Sequence, residues 1–195
     1  MNDNIDLDDN KLDDSVPENQ KYLSLRYFGL EQAIFILLVF LSLIGIAITD
    51  FNPHDGYGYW LFMVLVFSML SIFVSWLQTK TSENNFGEIV KAQGLHWLHT
   101  LLVVGAASLL NKSGQLTDMS ASLVILLILA LATMLDGIRI GWQFSLLGFF
   151  LATCAIIVAY FEHFIRISIS LAVLVIFCTF LWEYWRRKYS TDDEN

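Results

Sequence analysis

The sequence predicts an all-α fold, an integral membrane bundle of six transmembrane helices with both termini in the cytoplasm. Three observations predict it. Apolar stretches with few or no charges recur, each near the ~20 residues needed to cross the hydrocarbon of a bilayer. Tyr and Trp gather at the ends of these stretches, as in the aromatic belts of membrane proteins. Lys and Arg fall unevenly on alternate loops. The chain has 195 residues, 56% hydrophobic and 14% aromatic, which suits one such domain.

The first break is Thr49-Asp-Phe-Asn-Pro-His-Asp-Gly-Tyr-Gly-Tyr-Trp60, which separates two long apolar runs and holds no Lys or Arg. It reads as an outward-facing hairpin and sets the topology of the rest. Residues 1–28 form an acidic tail with little that builds a core, expected to be disordered and cytoplasmic. The transmembrane domain covers 29–186, with spans at about 30–49, 57–77, 95–110, 119–135, 142–160 and 167–185. Residues 187–195 make a second cytoplasmic tail. Gln78 to Gly94 reads as a polar loop, and Asn111 to Asp118 as a tight polar turn.

With these spans, one side of the membrane receives Lys11, Lys21, Arg26, Lys80, Lys91, Arg139, Arg186, Arg187 and Lys188, nine in all, and the other only Lys112 and Arg166. The positive-inside rule makes the first side cytoplasmic. The net charge of -8 comes mostly from the two tails. Those tails and the lack of a basic patch exclude nucleic acid as a partner. The acidic start of the chain has no signal-peptide pattern.

In the fifth span, Ser145, Gly148, Ala152, Ala155 and Ala159 recur three and four apart, forming a small-residue ridge of the kind that lets helix backbones approach in lipid. The fifth span is therefore the expected central helix, with Phe149, Phe150 and Ile157 facing lipid. Similar endings of the first and fourth spans, Ala47-Ile-Thr-Asp50 and Ala132-Thr-Met-Leu-Asp136, hint at two inverted three-span halves.

Topology sorts the ionisable groups into two candidate polar sites. The outer one joins Asp50, His54 and Asp55 to Glu162, His163 and Arg166. The inner one joins His96 and His99 to Asp136 and Arg139, with Glu83 or Glu88 nearby. Ionisable groups at membrane depth are costly and often functional. Against this, Asp, Asn, Pro and Gly in 50–56 also make a turn, and Asp136 and Arg139 are spaced to pair with each other. His96 and His99 share a helix face, as a metal pair or proton relay would. A bundle haem would need a second histidine at matching depth, and His163 lies on the other side. No cofactor or metal is expected. Cys154 and Cys178 form no CxxC or zinc pattern and read as small apolar residues. No nucleophile elbow, phosphate loop or HExxH occurs, so no catalytic residue is assigned.

Thr49-Asp50-Phe51-Asn52-Pro53, Tyr59-Trp60, Trp76 and His96-Trp97 together resemble a group of small proteobacterial inner-membrane proteins with no assigned activity. The resemblance covers the six spans and excludes the tails. It implies a bacterial cytoplasmic membrane location and carries over no catalytic residue.

The expected function is therefore that of a small transporter or permeation unit in the lipid bilayer, as a homo-oligomer or within a larger membrane complex. The alternatives are a non-catalytic accessory or assembly subunit, and a lipid- or quinone-handling enzyme. The enzyme would require His96, His99, Asp136 and Arg139 to converge.

Overall fold

A computed structural model describes residues 18–79, 86–160 and 164–192. These form six helices, α1 (Glu18–Phe51), α2 (Pro53–Thr79), α3 (Phe86–Lys112), α4 (Asp118–Ile140), α5 (Trp142–Tyr160) and α6 (Phe164–Asp192), and no strand. Five carry stretches long and apolar enough to cross a membrane: Leu30–Phe51, Pro53–Gln78, Lys91–Lys112, Asp118–Ile140 and Trp142–Tyr160. In α6 the apolar stretch among the described residues is Ile167–Trp182, shorter than the other five. Helices α1 and α3 begin well before their apolar stretches. Residues such as Glu, Lys, Ala and Gln favour helix, and a helix does not stop where its apolar face stops.

Asn52 alone separates α1 from α2. Its backbone N–H still donates to the Ile48 carbonyl at 2.8 Å, while its side-chain oxygen accepts from the His54 N–H at 3.2 Å. It is thus the cap of α2, and Pro53 occupies the first helical position, where a missing N–H costs nothing. A side chain on Gly56 would lie 2.7 Å from the Thr49 Cα, so only glycine lets the two helices meet so close to the turn. The α3–α4 turn uses Gly114 at φ 77°, a left-handed conformation that glycine adopts without steric cost. Thr117 then caps α4 by accepting from the Ser120 N–H at 3.2 Å.

The tightest seam lies between α4 and α5. A Cβ on Gly137 would collide with the Ser145 backbone nitrogen, and one on Gly148 would collide with Met134 and lie 2.6 Å from the Ala130 carbonyl oxygen. Ser145 adds a hydrogen bond from its hydroxyl to the Met134 carbonyl at 3.1 Å. In the ridge, Gly148 and Ala155 are buried, Ser145 and Ala152 partly buried, and Ala159 exposed. The most buried span is α4, 56% against 44% for α5. This corrects the expectation that α5 is central: α4 touches α2, α3 and α5. Phe149 is exposed as expected, but Phe150 and Ile157 are buried, because α1 and α6 also pack on α5 and cover faces that a single-ridge reading leaves to lipid.

The interior is largely apolar, with Leu38, Trp60, Val64, Ile125, Leu129, Leu147 and Phe150 fully enclosed. Where hydroxyls enter it, most return to their own helix. Ser42, Thr49, Thr133 and Thr179 each donate to the carbonyl four residues back, at 2.7–2.9 Å. Such back-bonding satisfies a hydroxyl that has no water within reach.

Replacing Gly148 with Leu is expected to destabilise the fold by about 1–3 kcal/mol through overpacking, read by unfolding in mixed micelles. Gly105→Ala, where a Cβ meets nothing within 4 Å, should change stability by less than about 0.5 kcal/mol.

Candidate functional site

Serial antiparallel packing gives the bundle two ends. At the first, the α1–α2 and α3–α4 turns meet. The His54 Nδ1–H donates to Asp118 Oδ2 at 2.9 Å, and the Asn111 amide donates to Asp118 Oδ1 at 3.0 Å. The Asn52 amide donates to Asp55 at 2.7 Å. Asp50 is exposed. His54 and Asp118 have 78% and 39% of their side-chain surface in solvent, so this pair contributes little to stability. The outer site therefore assembles around Asp118 and Asn111, which join His54, while Asp55 serves the turn. Glu162 and His163 lie outside the described residues.

Towards the second end, three side chains from two other helices gather around one carboxylate. Asp136 on α4 is 1% exposed, although it lies only one turn from the helix end. Ser71 on α2 donates its hydroxyl to Asp136 Oδ2. Gln93 on α3 donates its amide to Asp136 Oδ1 and to Ser71 Oγ. The Trp97 indole N–H donates to the same Ser71 oxygen at 3.1 Å. Ser71, Gln93 and Trp97 are themselves 1–2% exposed.

A hydroxyl has one proton to give and two lone pairs with which to accept. All three capacities of Ser71 are in use here. The arrangement offers the carboxylate only neutral donors, one to each oxygen. Desolvating a charged carboxylate in a helix bundle is costly, and hydrogen bonds offset that cost only in part.

The remaining members of the expected inner site are not brought to Asp136. The Arg139 guanidinium donates to the Ala92 carbonyl at 3.3 Å and is exposed. The expected Asp136–Arg139 pairing is absent, because Asp136 points into the bundle and Arg139 away from it. His96 Nε2 lies 3.1 Å from the Ala132 carbonyl, and His99 Nδ1 lies 2.7 Å from the Leu95 carbonyl of its own helix. A carbonyl only accepts, so each of these nitrogens carries a proton. The two histidines share no ligand position. Among the described residues, no three of His, Cys, Asp and Glu gather as a metal site would require. The convergence that an enzyme reading demanded does not occur. Cys154 and Cys178 are free.

Beyond Asp136, the chain runs on to a second polar contact. The Gln78 amide donates to Glu31 Oε1 at 3.2 Å and to the Ile140 carbonyl at 2.9 Å, tying α1, α2 and the end of α4 together. Ser71, Gln93, Gln78 and Glu31 carry no local sequence pattern that marks a site. The available signal was spacing: Ser68, Ser71, Ser75 and Gln78 fall three, four and three apart, one face of a helix, and Gln93, Trp97 and Thr100 do the same on α3.

No protein-family model, curated protein or solved structure matches the chain. Its fold and its buried carboxylate fit the class of multi-pass helical membrane proteins with a polar centre inside the bundle.

Ser71→Ala removes a donor from Asp136 and the acceptor of two α3 side chains. It is expected to destabilise the fold by about 1–2 kcal/mol, whereas His54→Ala leaves unfolding in mixed micelles near the wild-type value because its partner contact is exposed.

Proposed function

We propose that this chain is a six-span protein of the bacterial cytoplasmic membrane, with both termini cytoplasmic, and that it works as a small transporter or permeation unit built around Asp136. The orientation rests on the excess of Lys and Arg on one side. The observation that carries the function is the buried Asp136 carboxylate, held by Ser71 and Gln93 from two other helices. Ionisable groups so placed in membrane bundles mark ion and solute pathways. An exposed turn or a purely structural seam has no need of a carboxylate there, since an amide or hydroxyl satisfies the same neighbours at lower desolvation cost.

The helix best placed to move is α3. Its span is 28% buried, the least of the five, and through Gln93 and Trp97 it touches the site directly. A carboxylate that changes its occupant thereby changes what holds α3.

A second reading, an accessory or assembly subunit, is favoured by the outer face of α3. Gly105 and Ala106 are exposed there beside Leu102 and Val103, and small residues on a lipid-facing surface admit close approach of another helix.

The test is flux of small cations and solutes into proteoliposomes under an imposed ion gradient. Asp136→Asn is expected to lower the flux at least tenfold, and Asp50→Asn, at an exposed turn, to leave it unchanged. Equal flux in the Asp136→Asn protein overturns the transport reading. Flux no greater than in protein-free vesicles, with stable co-purification of a membrane partner, establishes the accessory reading in its place.

A further inference from the structure

Deepening the transport reading, we propose that Asp136 is a proton-accepting site served from the end of the bundle where Glu31, Gln78 and Ile140 meet, along a polar stripe on α2. The stripe is Ser71, Ser75 and Gln78. Ser71 and Ser75 are buried at 1% and 6% exposure, and Gln78 is partly buried. From Ser71 to Gln78 the helix rises about 10 Å, so these side chains bridge the distance from the carboxylate to the bundle end. There Gln78 holds Glu31 Oε1 at 3.2 Å, and Glu31 is only partly buried. In the opposite direction the buried hydroxyls of Ser68 and Thr133 are turned back onto their own helices, to the Leu65 and Leu129 carbonyls, and beyond them the interior is apolar. Met63, Val64, Phe67, Ile125 and Leu129 are all 0–1% exposed and present no polar atom to carry a proton. Access is therefore from one end.

A proton fits this site better than a metal ion. Hard cations collect six or more oxygen ligands. Here each Asp136 oxygen already accepts a hydrogen bond, and its neighbours are a hydroxyl, an amide and an indole. Uptake forms one O–H bond on Asp136, converting carboxylate to carboxylic acid, with the proton coming from water at the Glu31 end. Ser71 is the partner that must respond. It already donates one bond and accepts two, so a new O–H on Asp136 finds an acceptor only if the Ser71 proton turns away or the Gln93 amide rotates to present its oxygen. Gln93 and Trp97 both belong to α3, so proton uptake loosens the hold of α3 on α2.

The charged and titratable groups around Asp136 are few. From α3 come His96, bonded to the Ala132 carbonyl one turn away, and Lys91, which is exposed. From its own helix comes Arg139, turned to Ala92. From α1 comes Glu31, behind Gln78. Helix α2 presents none between Ser68 and Gln78, and α5 holds no carboxylate, histidine or basic residue.

The experiment is infrared difference spectroscopy on the full chain in proteoliposomes. A carboxylic-acid C=O band that appears on acidification and is missing in Asp136→Asn identifies the protonated site. After a pH jump, Gln78→Leu is expected to slow the rise of that band at least tenfold. Ser75→Val, a second break in the stripe that leaves Glu31 untouched, should slow it likewise, with circular dichroism verifying that each variant is folded. An absent band, or unchanged kinetics in both folded variants, overturns the proposal. Unchanged kinetics with flux still lost in Asp136→Asn sinks this route alone. Slowed kinetics with flux intact in Asp136→Asn retains the proton site and sinks the transport reading.

Discussion

A carboxylate that leaves water must find donors, and in a helix bundle it finds them only on neighbouring helices. Asp136 imposes that requirement on this protein. Its two oxygens take Ser71 from α2 and Gln93 from α3, and Ser71 in turn takes Trp97. The rotation of each of the three helices about its own axis is thereby fixed at this level. A turn of one helix by a single residue, about 100°, would carry its donor away and leave the charge unsatisfied. Apolar packing alone tolerates such slips far better, because one aliphatic side chain substitutes for another.

The two seams that meet on α4 are different in kind. Towards α5 the contact is backbone on backbone, made possible by Gly137 and Gly148 and admitting almost no change. Towards α2 and α3 it is made by side chains whose protons and amide can reorient. The helix is anchored on one face and adjustable on the other. The adjustable face holds the carboxylate, and the least buried span, α3, lies against it. The bundle thus joins a rigid two-helix seam to a third helix held by side chains that can reorient.

Asp136 and the turn residues were legible in the sequence, because an acid near the end of an apolar run and an Asn-Pro between two runs are local patterns. The partners of Asp136 were not. Arg139, three residues on, has the right spacing to pair with it, and spacing alone cannot tell that Asp136 is enclosed with Ser71 and Gln93 while Arg139 stays exposed at the Ala92 carbonyl. Likewise His54 was legible as a polar turn residue, but Asp118, 64 positions away, becomes its partner only when two turns meet at one end. Phe150 and Ile157 read as lipid-facing because a single ridge of small residues points to one buried face of α5, whereas three helices pack on it.

The sequence by itself determined the apolar helices, their breaks at the Asn52-Pro53 hairpin and at Asn111–Asp118, and the asymmetry of basic residues. Each of these follows from hydropathy, turn chemistry or charge within a few neighbouring positions. The tertiary structure alone decided which faces of those helices meet. It set α4 rather than α5 at the most enclosed position, and it gathered Ser71, Gln93, Trp97 and Asp136 at one point. The physical reason is that an apolar helix in an apolar surrounding carries little pattern to orient it. Close approach at glycine and the satisfaction of a few buried polar atoms then choose the rotation, and both depend on residues far apart in the chain.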